Sequence, residues 1–123
     1  MNYKERGLLF MSKRKRVSKI QSWMNQAEGR AKDRSHDDHT QVGCVITTPD
    51  LQVEIITGYN GFLEDADDES LPKTRPEKYE FMQHAEENAI RLAARHGRAT
   101  NGGVAFCTMS PCESCTRQLY AAG

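Results

Sequence analysis

Two short apolar runs lie close together near the middle of this sequence, and both are rich in β-branched residues. They occupy residues 42–48 and 53–59, and the Thr-Pro-Asp segment at 48–50 between them is typical of a turn. Strands joined this briefly pair antiparallel, because a parallel pair needs a crossover connection of roughly a dozen residues or more. The chain is therefore expected to fold around a sheet that begins as a hairpin.

Helical periodicity flanks this hairpin on both sides. Before the hairpin, apolar residues recur at i, i+3, i+6, i+7 and i+10, which predicts an amphipathic helix that ends near Gly29 or a few residues beyond. The residues of this stripe are Val17, Ile20, Trp23, Met24 and Ala27. After the hairpin, a second helix is predicted to begin at about His84 and to stop at Gly97.

A third strand and a third helix complete the pattern. Residues 104–107 form a short apolar run, and Pro111 suits the first turn of a helix because its missing N–H would have no partner there. The order αββαβα puts a helix between strands two and three, which predicts a right-handed crossover and a parallel pair. We therefore expect an α/β fold of three layers, α/β/α, in which helices cover both faces of a mixed sheet.

Composition limits the class of protein. The 123 residues allow one domain, and 37% hydrophobic with 28% charged residues is typical of a globular chain. Seventeen basic and seventeen acidic side chains give a formal net charge of zero, which disfavours binding to a nucleic-acid polymer. Neither a membrane span nor the apolar region of a signal peptide is visible, so the cytoplasm is the expected compartment and no membrane partner is expected.

Candidate metal ligands stand at two predicted helix starts. His84 and Glu86 belong to one start, and Cys112 and Cys115 belong to the other. Thiolates and imidazole suit Zn²⁺, and a helix N-terminus favours the thiolate. Three protein ligands leave a fourth tetrahedral position for water, which marks a catalytic zinc, and Glu86 is placed to carry protons rather than to bind the metal.

Two other interpretations of the cysteine pair are open. A Cys-x-x-Cys pair can also be a redox pair or half of a structural zinc site, and the structural site would need a fourth ligand. The candidates for that ligand are Cys44, Cys107, His36 and His39. Both cysteines fall on predicted strands, where they are typical of small buried hydrophobes, and both histidines fall in a polar stretch. The nearby His-x-Glu favours the catalytic interpretation.

The segments HAE at 84–86 and PCESC at 111–115 match the signature H-x-E…P-C-x-x-C of the zinc nucleobase deaminases. More narrowly, the chain resembles the deoxycytidylate (dCMP) deaminases of the cytidine/deoxycytidylate deaminase family. The blocks that carry this resemblance are TQVG at 40–43, GYNG at 58–61, LP at 71–72 and HAEENAI at 84–90. The resemblance runs from about residue 17 to Gly123.

The resemblance implies a cytidine-deaminase-like fold and the hydrolysis of dCMP to dUMP and ammonia by a zinc-activated water. The residues that match the zinc ligands are His84, Cys112 and Cys115, and Glu86 matches the proton carrier. In similar enzymes the residue equivalent to Asn60 contacts the sugar, and the backbone at Ala85 contacts the pyrimidine.

The resemblance also implies regulation and assembly. Enzymes of this kind are typically homo-oligomers, often hexamers, that dCTP activates and dTTP inhibits at a separate site with Mg²⁺. The residues that resemble part of that regulatory site are Gly58, Tyr59, Asn60 and Gly61. If a phage encodes the chain, the compartment is the host cytoplasm.

The chain departs from the family at its end. Members usually continue past the third helix into further strands and helices, so we expect residues 1–123 to form a single deaminase domain that is short at its C-terminus, with the C-terminal strands missing. The alternatives are a deaminase acting on free cytidine or tRNA adenosine, and a non-catalytic, zinc-stabilised nucleotide-binding module.

Residues that could bind a substrate phosphate carry no motif of their own. The possible partners are Arg75, Lys78, Arg91 and Arg117, and each is more typical of a solvated surface charge.

Overall fold

The computed structural model of the protein describes residues 7, 14–63, 69–73, 77–80 and 82–123. Its elements confirm the predicted order αββαβα, with a short 3₁₀ helix added before the second α-helix. They are α1 (Lys19–Arg34), β1 (Gly43–Thr47), β2 (Glu54–Tyr59), the 3₁₀ helix (Glu77–Glu80), α2 (Ala85–Arg95), β3 (Val104–Cys107) and α3 (Glu113–Ala121). None of the described helices has both the length and the apolar composition that crossing a membrane requires.

Strand β1 lies at the centre of a three-stranded sheet of order β2-β1-β3 and pairs antiparallel with both neighbours. The predicted parallel pairing of strands two and three is wrong, because β1 separates them although they run in the same direction. The expectation of a mixed sheet is also wrong for the described strands. The strand order agrees with burial. Every residue of β1 is buried, and this suits the centre of the sheet, where a neighbouring strand covers each edge of β1.

The two faces of the sheet are covered by different helices. Cys44 and Ile46 on one face of β1 pack in a cluster with three alanines of α2, and Leu119 of α3 packs against this cluster. Val45 on the other face packs with Ala27 of α1. The alternation follows from the two-residue period of a strand. It confirms the predicted three-layer α/β/α fold.

Helix α2 packs unusually close to the end of β2, at Gly58. A Cβ atom at this position would lie 2.5 Å from the carbonyl oxygen of Ala85 and 2.5 Å from the backbone nitrogen of Ala89, so the approach depends on glycine. The Asn88 side chain adds a hydrogen bond of 2.9 Å from Nδ2 to the carbonyl oxygen of Tyr59. The first turn of α2 is therefore held against the end of β2.

Helix α1 begins after the N-cap residue Ser18 and continues past Gly29 to Arg34, in agreement with the predicted end. Only the later part of its apolar stripe reaches the core, since Val17 and Ile20 are each 57% exposed.

Candidate active site

The starts of α2 and α3 bring the three candidate metal ligands together. His84 is the N-cap residue of α2, and Cys112 is the N-cap residue of α3. The Cys112 sulfur accepts a hydrogen bond of 3.4 Å from the backbone N–H of Cys115, in the manner of an N-cap side chain. Both sulfurs lie near His84, although the ligands come from positions far apart in the sequence.

The distances between the ligand atoms suit a tetrahedral metal ion. The Nδ1 atom of His84 lies 3.3 Å from the Cys115 sulfur and 3.6 Å from the Cys112 sulfur, and all three ligand atoms lie within 4.8 Å of one another. Zinc bonds of about 2.0–2.1 Å to nitrogen and about 2.3 Å to sulfur give a tetrahedral N···S separation of about 3.6 Å. The donor set, two sulfurs and one imidazole nitrogen, therefore fits Zn²⁺ in both chemistry and spacing.

The helix start was expected to favour the thiolate form of Cys115, but the pKa of this buried thiol changes in the opposite direction. Burial raises the pKa of the Cys115 thiol above its ordinary value, and hydrogen bonding with Cys112 and the charge of Glu86 act in the same direction. A coordinated divalent cation reverses such a preference, because a coordinating thiol is deprotonated.

Glu86, the second residue of α2, lies beside the ligands and is only 3% exposed. Its side chain lines a cavity together with His84 and Cys112, but it is outside the group of ligand atoms found among the described residues. The carboxylate also interacts with the thiols of Cys115 and Cys107. This position suits a group that exchanges protons with a bound molecule.

The cavity beside the ligands has a volume of about 260 Å³, slightly below the range of roughly 300–1,000 Å³ that is typical of small-molecule sites. One group of lining residues comes from the helix starts, and we call it the metal wall: His84, Ala85, Glu86 and Cys112. A second group comes from the loop before β1, the end of β2 and the 3₁₀ helix, and we call it the loop wall: Asp37, Thr40, Val42, Asn60 and Lys78. The remaining lining residues are Met82, Gln83, Met109 and Ser110.

Asn60 joins the end of β2 to the loop before β1. Its Oδ1 accepts hydrogen bonds from the backbone N–H of Val42 (2.9 Å) and the hydroxyl of Ser35 (2.7 Å). Its Nδ2 donates to the carbonyl oxygen of Thr40 (2.7 Å). The side chain that was predicted to contact the substrate sugar therefore also holds the loop wall together, and the predicted backbone contact at Ala85 lies in the same cavity.

The loop wall contains a buried ion pair that the sequence did not suggest. The Nζ atom of Lys78 donates a hydrogen bond to Oδ2 of Asp37, and the two side chains are 2% and 5% exposed. Burial alone would raise the pKa of the Asp37 carboxyl, but hydrogen bonds from Lys78 and from the backbone N–H groups of His39 and Thr40 lower it below its ordinary value. Asp37 is therefore a carboxylate at neutral pH.

A match to known proteins assigns this fold and site to a family. The family model for the cytidine and deoxycytidylate deaminase zinc-binding region matches residues 17–123. The chain belongs to the cytidine and deoxycytidylate deaminase family.

Two curated relatives in this family are named probable deoxycytidylate deaminase. The protein from Caenorhabditis elegans is 38% identical over 93 residues, which cover 70% of this chain and 44% of the relative. The protein from Drosophila melanogaster is 30% identical over 102 residues, which cover 73% of this chain and 48% of the relative. The matched part of the chain thus spans less than half the length of each of these relatives.

Solved structures agree with the family assignment. The crystal structure of the dCMP deaminase from the cyanophage S-TIM5 in apo form has a TM-score of 0.69 and 26% sequence identity, covering 85% of this chain and 75% of that chain. The crystal structure of the same enzyme in complex with dCMP and dUMP also has a TM-score of 0.69, at 24% identity. The likeness confirms the cytidine-deaminase-like fold.

The residues considered as a fourth structural ligand do not belong to the group of metal ligands at this site. Among the described residues, the metal-ligand group contains only His84, Cys112 and Cys115. Cys44 and Cys107 face each other across β1 and β3, with their sulfurs 3.6 Å apart, and this hydrogen bond together with burial raises the pKa of the Cys44 thiol. The Nδ1 of His36 accepts a hydrogen bond from the Phe62 N–H, and His39 is exposed.

The four residues predicted to belong to a regulatory nucleotide site, at positions 58–61, have different surroundings in the structure. Gly58 lies beneath α2, whereas the side chain of Asn60 lines the cavity. Gly61 is buried against the ring of His36, and the Arg30 guanidinium lies 5.8 Å from the centroid of the Tyr59 ring. The regulatory role of this segment stays a prediction.

Of the possible phosphate partners that the structure describes, only Lys78 lines the cavity, and its interpretation as a solvated surface charge is wrong because it is buried. Arg91 and Arg117 form ion pairs of 3.2 and 2.7 Å one turn back along their own helices. Arg75 lies outside the described residues. No motif in the sequence could have identified Asp37 and Lys78, since they meet only in the folded chain.

Proposed function

We propose that this chain catalyses the hydrolysis of dCMP to dUMP and ammonia. The observation that carries the proposal is the convergence of His84, Cys112 and Cys115 at the edge of a cavity that Glu86 also lines. The choice of substrate is supported by two relatives named probable deoxycytidylate deaminase and by the neighbouring structure crystallised with dCMP and dUMP.

His84, Cys112 and Cys115 would hold the zinc ion, which would supply a Lewis acid that activates water at neutral pH. Glu86 accepts a proton from the attacking water and delivers it to N3 of the cytosine ring, while the water oxygen bonds to C4. It then passes the second proton of the water to the departing 4-amino group, which leaves as ammonia. The burial of Glu86 keeps bulk water from competing for these protons.

The walls of the cavity orient the nucleotide. Asn60 donates one Nδ2 hydrogen to Thr40 and offers the other to the sugar of the substrate. The backbone N–H groups in the first turn of α2 have no partner within the helix, so the backbone at Ala85 is suited to donate to the pyrimidine.

We extend the proposal to regulation and assembly, with the family resemblance as its support. In it, dCTP activates and dTTP inhibits the enzyme, each with Mg²⁺ at a site that includes the segment 58–61. Residues 1–123 form one deaminase domain, and the active form is a homo-oligomer, a hexamer, in the cytoplasm.

The test is ammonia release from the purified chain with dCMP, deoxycytidine, cytidine or dCTP as substrate. We expect turnover of dCMP only, and faster turnover at low dCMP when dCTP is added. The matched control is the chain after zinc removal by a chelator, which should be inactive and should recover when zinc is returned.

The alternatives predict different results. Turnover of cytidine in place of dCMP would change the substrate and keep the chemistry, and the same holds for a tRNA anticodon stem-loop deaminated at adenosine. Tight nucleotide binding and bound zinc without turnover of any substrate would identify a binding module instead. Each of these three results overturns the proposal.

A further inference from the structure

The buried ion pair between Lys78 and Asp37 requires a physical explanation. Removing both charges from water costs free energy that their attraction does not reliably recover, so such a pair is weak evidence for a gain in stability. Both side chains line the cavity, and they come from segments 41 residues apart in the chain. A role in shaping the cavity accounts for both observations.

Asp37 organises the loop wall on its side of the pair. Its Oδ1 accepts hydrogen bonds from the backbone N–H groups of His39 (2.8 Å) and Thr40 (3.1 Å), which fold the loop around the carboxylate. Thr40 in turn accepts the hydrogen bond from Asn60. The position of Asn60 is therefore connected to the Asp37 carboxylate through a single intervening residue.

Lys78 organises the segment that leads to the metal wall. Its carbonyl oxygen accepts a hydrogen bond of 2.8 Å from the N–H of Met82, and the next residue, Gln83, forms a two-way backbone bridge with Gly61. His84 follows directly. Met82 and Gln83 are thus held by the Lys78 carbonyl and by this bridge, and the ion pair fixes Lys78 itself to Asp37.

We propose that Lys78 and Asp37 form a positioning pair of the active site, which holds the loop wall at the separation from the metal wall that the nucleotide requires. The inference rests on the proposed function. In it, the pair affects nucleotide binding and leaves the metal ligands in place, because the hydrogen bonds given above connect the pair to the loop wall and to Met82 rather than to a metal ligand. Neither residue needs to touch the reacting atoms.

The experiment compares Lys78→Met, Asp37→Asn, the double variant carrying both changes, and Lys78→Arg. We expect Lys78→Met to raise KM for dCMP by about tenfold or more with a smaller change in kcat, since a displaced wall misplaces the substrate. Zinc content should stay at the wild-type ratio. Lys78→Arg keeps the charge and should recover part of the lost affinity.

The matched control is Lys32→Met, which removes an exposed lysine from the last turn of α1 and should leave KM unchanged. If Lys78→Met does not fold because it leaves a buried carboxylate without this partner, the double variant removes both charges and supplies the same KM measurement. The double variant should be more stable than Lys78→Met while its KM stays raised.

Binding of dCMP measured by calorimetry in a Glu86→Gln background separates the two proposals, because it needs no turnover. Wild-type turnover tests the proposed function, and the change in the dissociation constant on replacing Lys78 tests the positioning pair. A wild-type KM in the double variant would overturn the inference. A parallel loss of kcat, zinc and thermal stability would also overturn it, since that is the result of a purely structural role.

Discussion

The two walls of the cavity are built in different ways. The metal wall consists of residues at the first turns of α2 and α3, so short stretches of sequence place each of its side chains. The loop wall consists of residues between positions 37 and 78, held together by the Asn60 side chain and the Lys78–Asp37 pair. Each metal-wall residue has its place within a helix start set locally, whereas the loop wall depends on every segment that contributes to it.

This difference predicts two kinds of variant. Changes in the metal wall should abolish metal binding or proton transfer and leave the loop wall intact. Changes in the loop wall should weaken nucleotide binding and reduce stability while zinc stays bound. Measuring zinc content, kcat and KM separately distinguishes the two.

The largest effect is expected for Cys115→Ala, which removes the buried ligand. Two protein ligands hold zinc far more weakly than three, so zinc and turnover should both be lost. The measurements are elemental analysis and ammonia release. Cys44→Ala is the matched control, because it makes the same change at a buried cysteine outside the ligand group and should retain zinc. Full zinc content in Cys115→Ala would refute its assignment as a ligand.

Glu86→Gln should lower kcat by about 10²–10⁴-fold, the usual contribution of a general acid–base group, and should keep zinc. Glutamine has nearly the same shape but cannot accept a proton from water. The measurements are ammonia release and metal content. Glu28→Gln makes the same change at an exposed residue of α1 outside the cavity lining and should keep most of the activity. Loss of zinc from Glu86→Gln would mean that Glu86 is a ligand.

The same difference explains what could be predicted from the sequence. The ligands and Glu86 lie in short motifs at helix starts, where identity and spacing already place them; their roles stay predictions, but the structure does bring them together. Asp37 and Lys78 lie in stretches without periodicity, where a charged residue is usually solvated. Their burial follows from contacts across 41 residues that no local pattern encodes.

In the fold, too, the local elements could be predicted from the sequence and their arrangement could not. The helices and strands were predictable from periodicity and the glycines and prolines at their ends. The strand order was not, because a helical crossover usually joins parallel neighbours, and here β1 lies between β2 and β3. The deciding quantity, the complete burial of β1, is a property of the assembled layers.

Asn60→Ala tests the loop wall from within the cavity. It leaves the N–H of Val42 and the carbonyl of Thr40 without their Asn60 partner, at a cost of about 1–3 kcal/mol in the free energy of unfolding. KM for dCMP should rise about tenfold, because the same side chain is proposed to contact the sugar. Urea unfolding and steady-state kinetics are the measurements. Zinc content should match the wild type, and its loss would contradict the separation of the two walls.

The smallest expected effect is the pH dependence of the Asp37 contribution. The folded state lowers the pKa of Asp37 below its ordinary value of 3.8, so it favours the carboxylate more strongly than the unfolded chain does. The stabilisation is therefore fully present above the unfolded pKa and is lost as the pH falls through the lower, folded pKa. The difference in unfolding free energy between wild type and Asp37→Asn should be constant near neutral pH and should shrink below about pH 4.

Protonation of the zinc ligands affects both proteins alike, so it cancels in this difference. Urea unfolding of both proteins at neutral and acidic pH measures it, and a gap that widens in acid would show that the carboxylate is not the form that holds the loop wall.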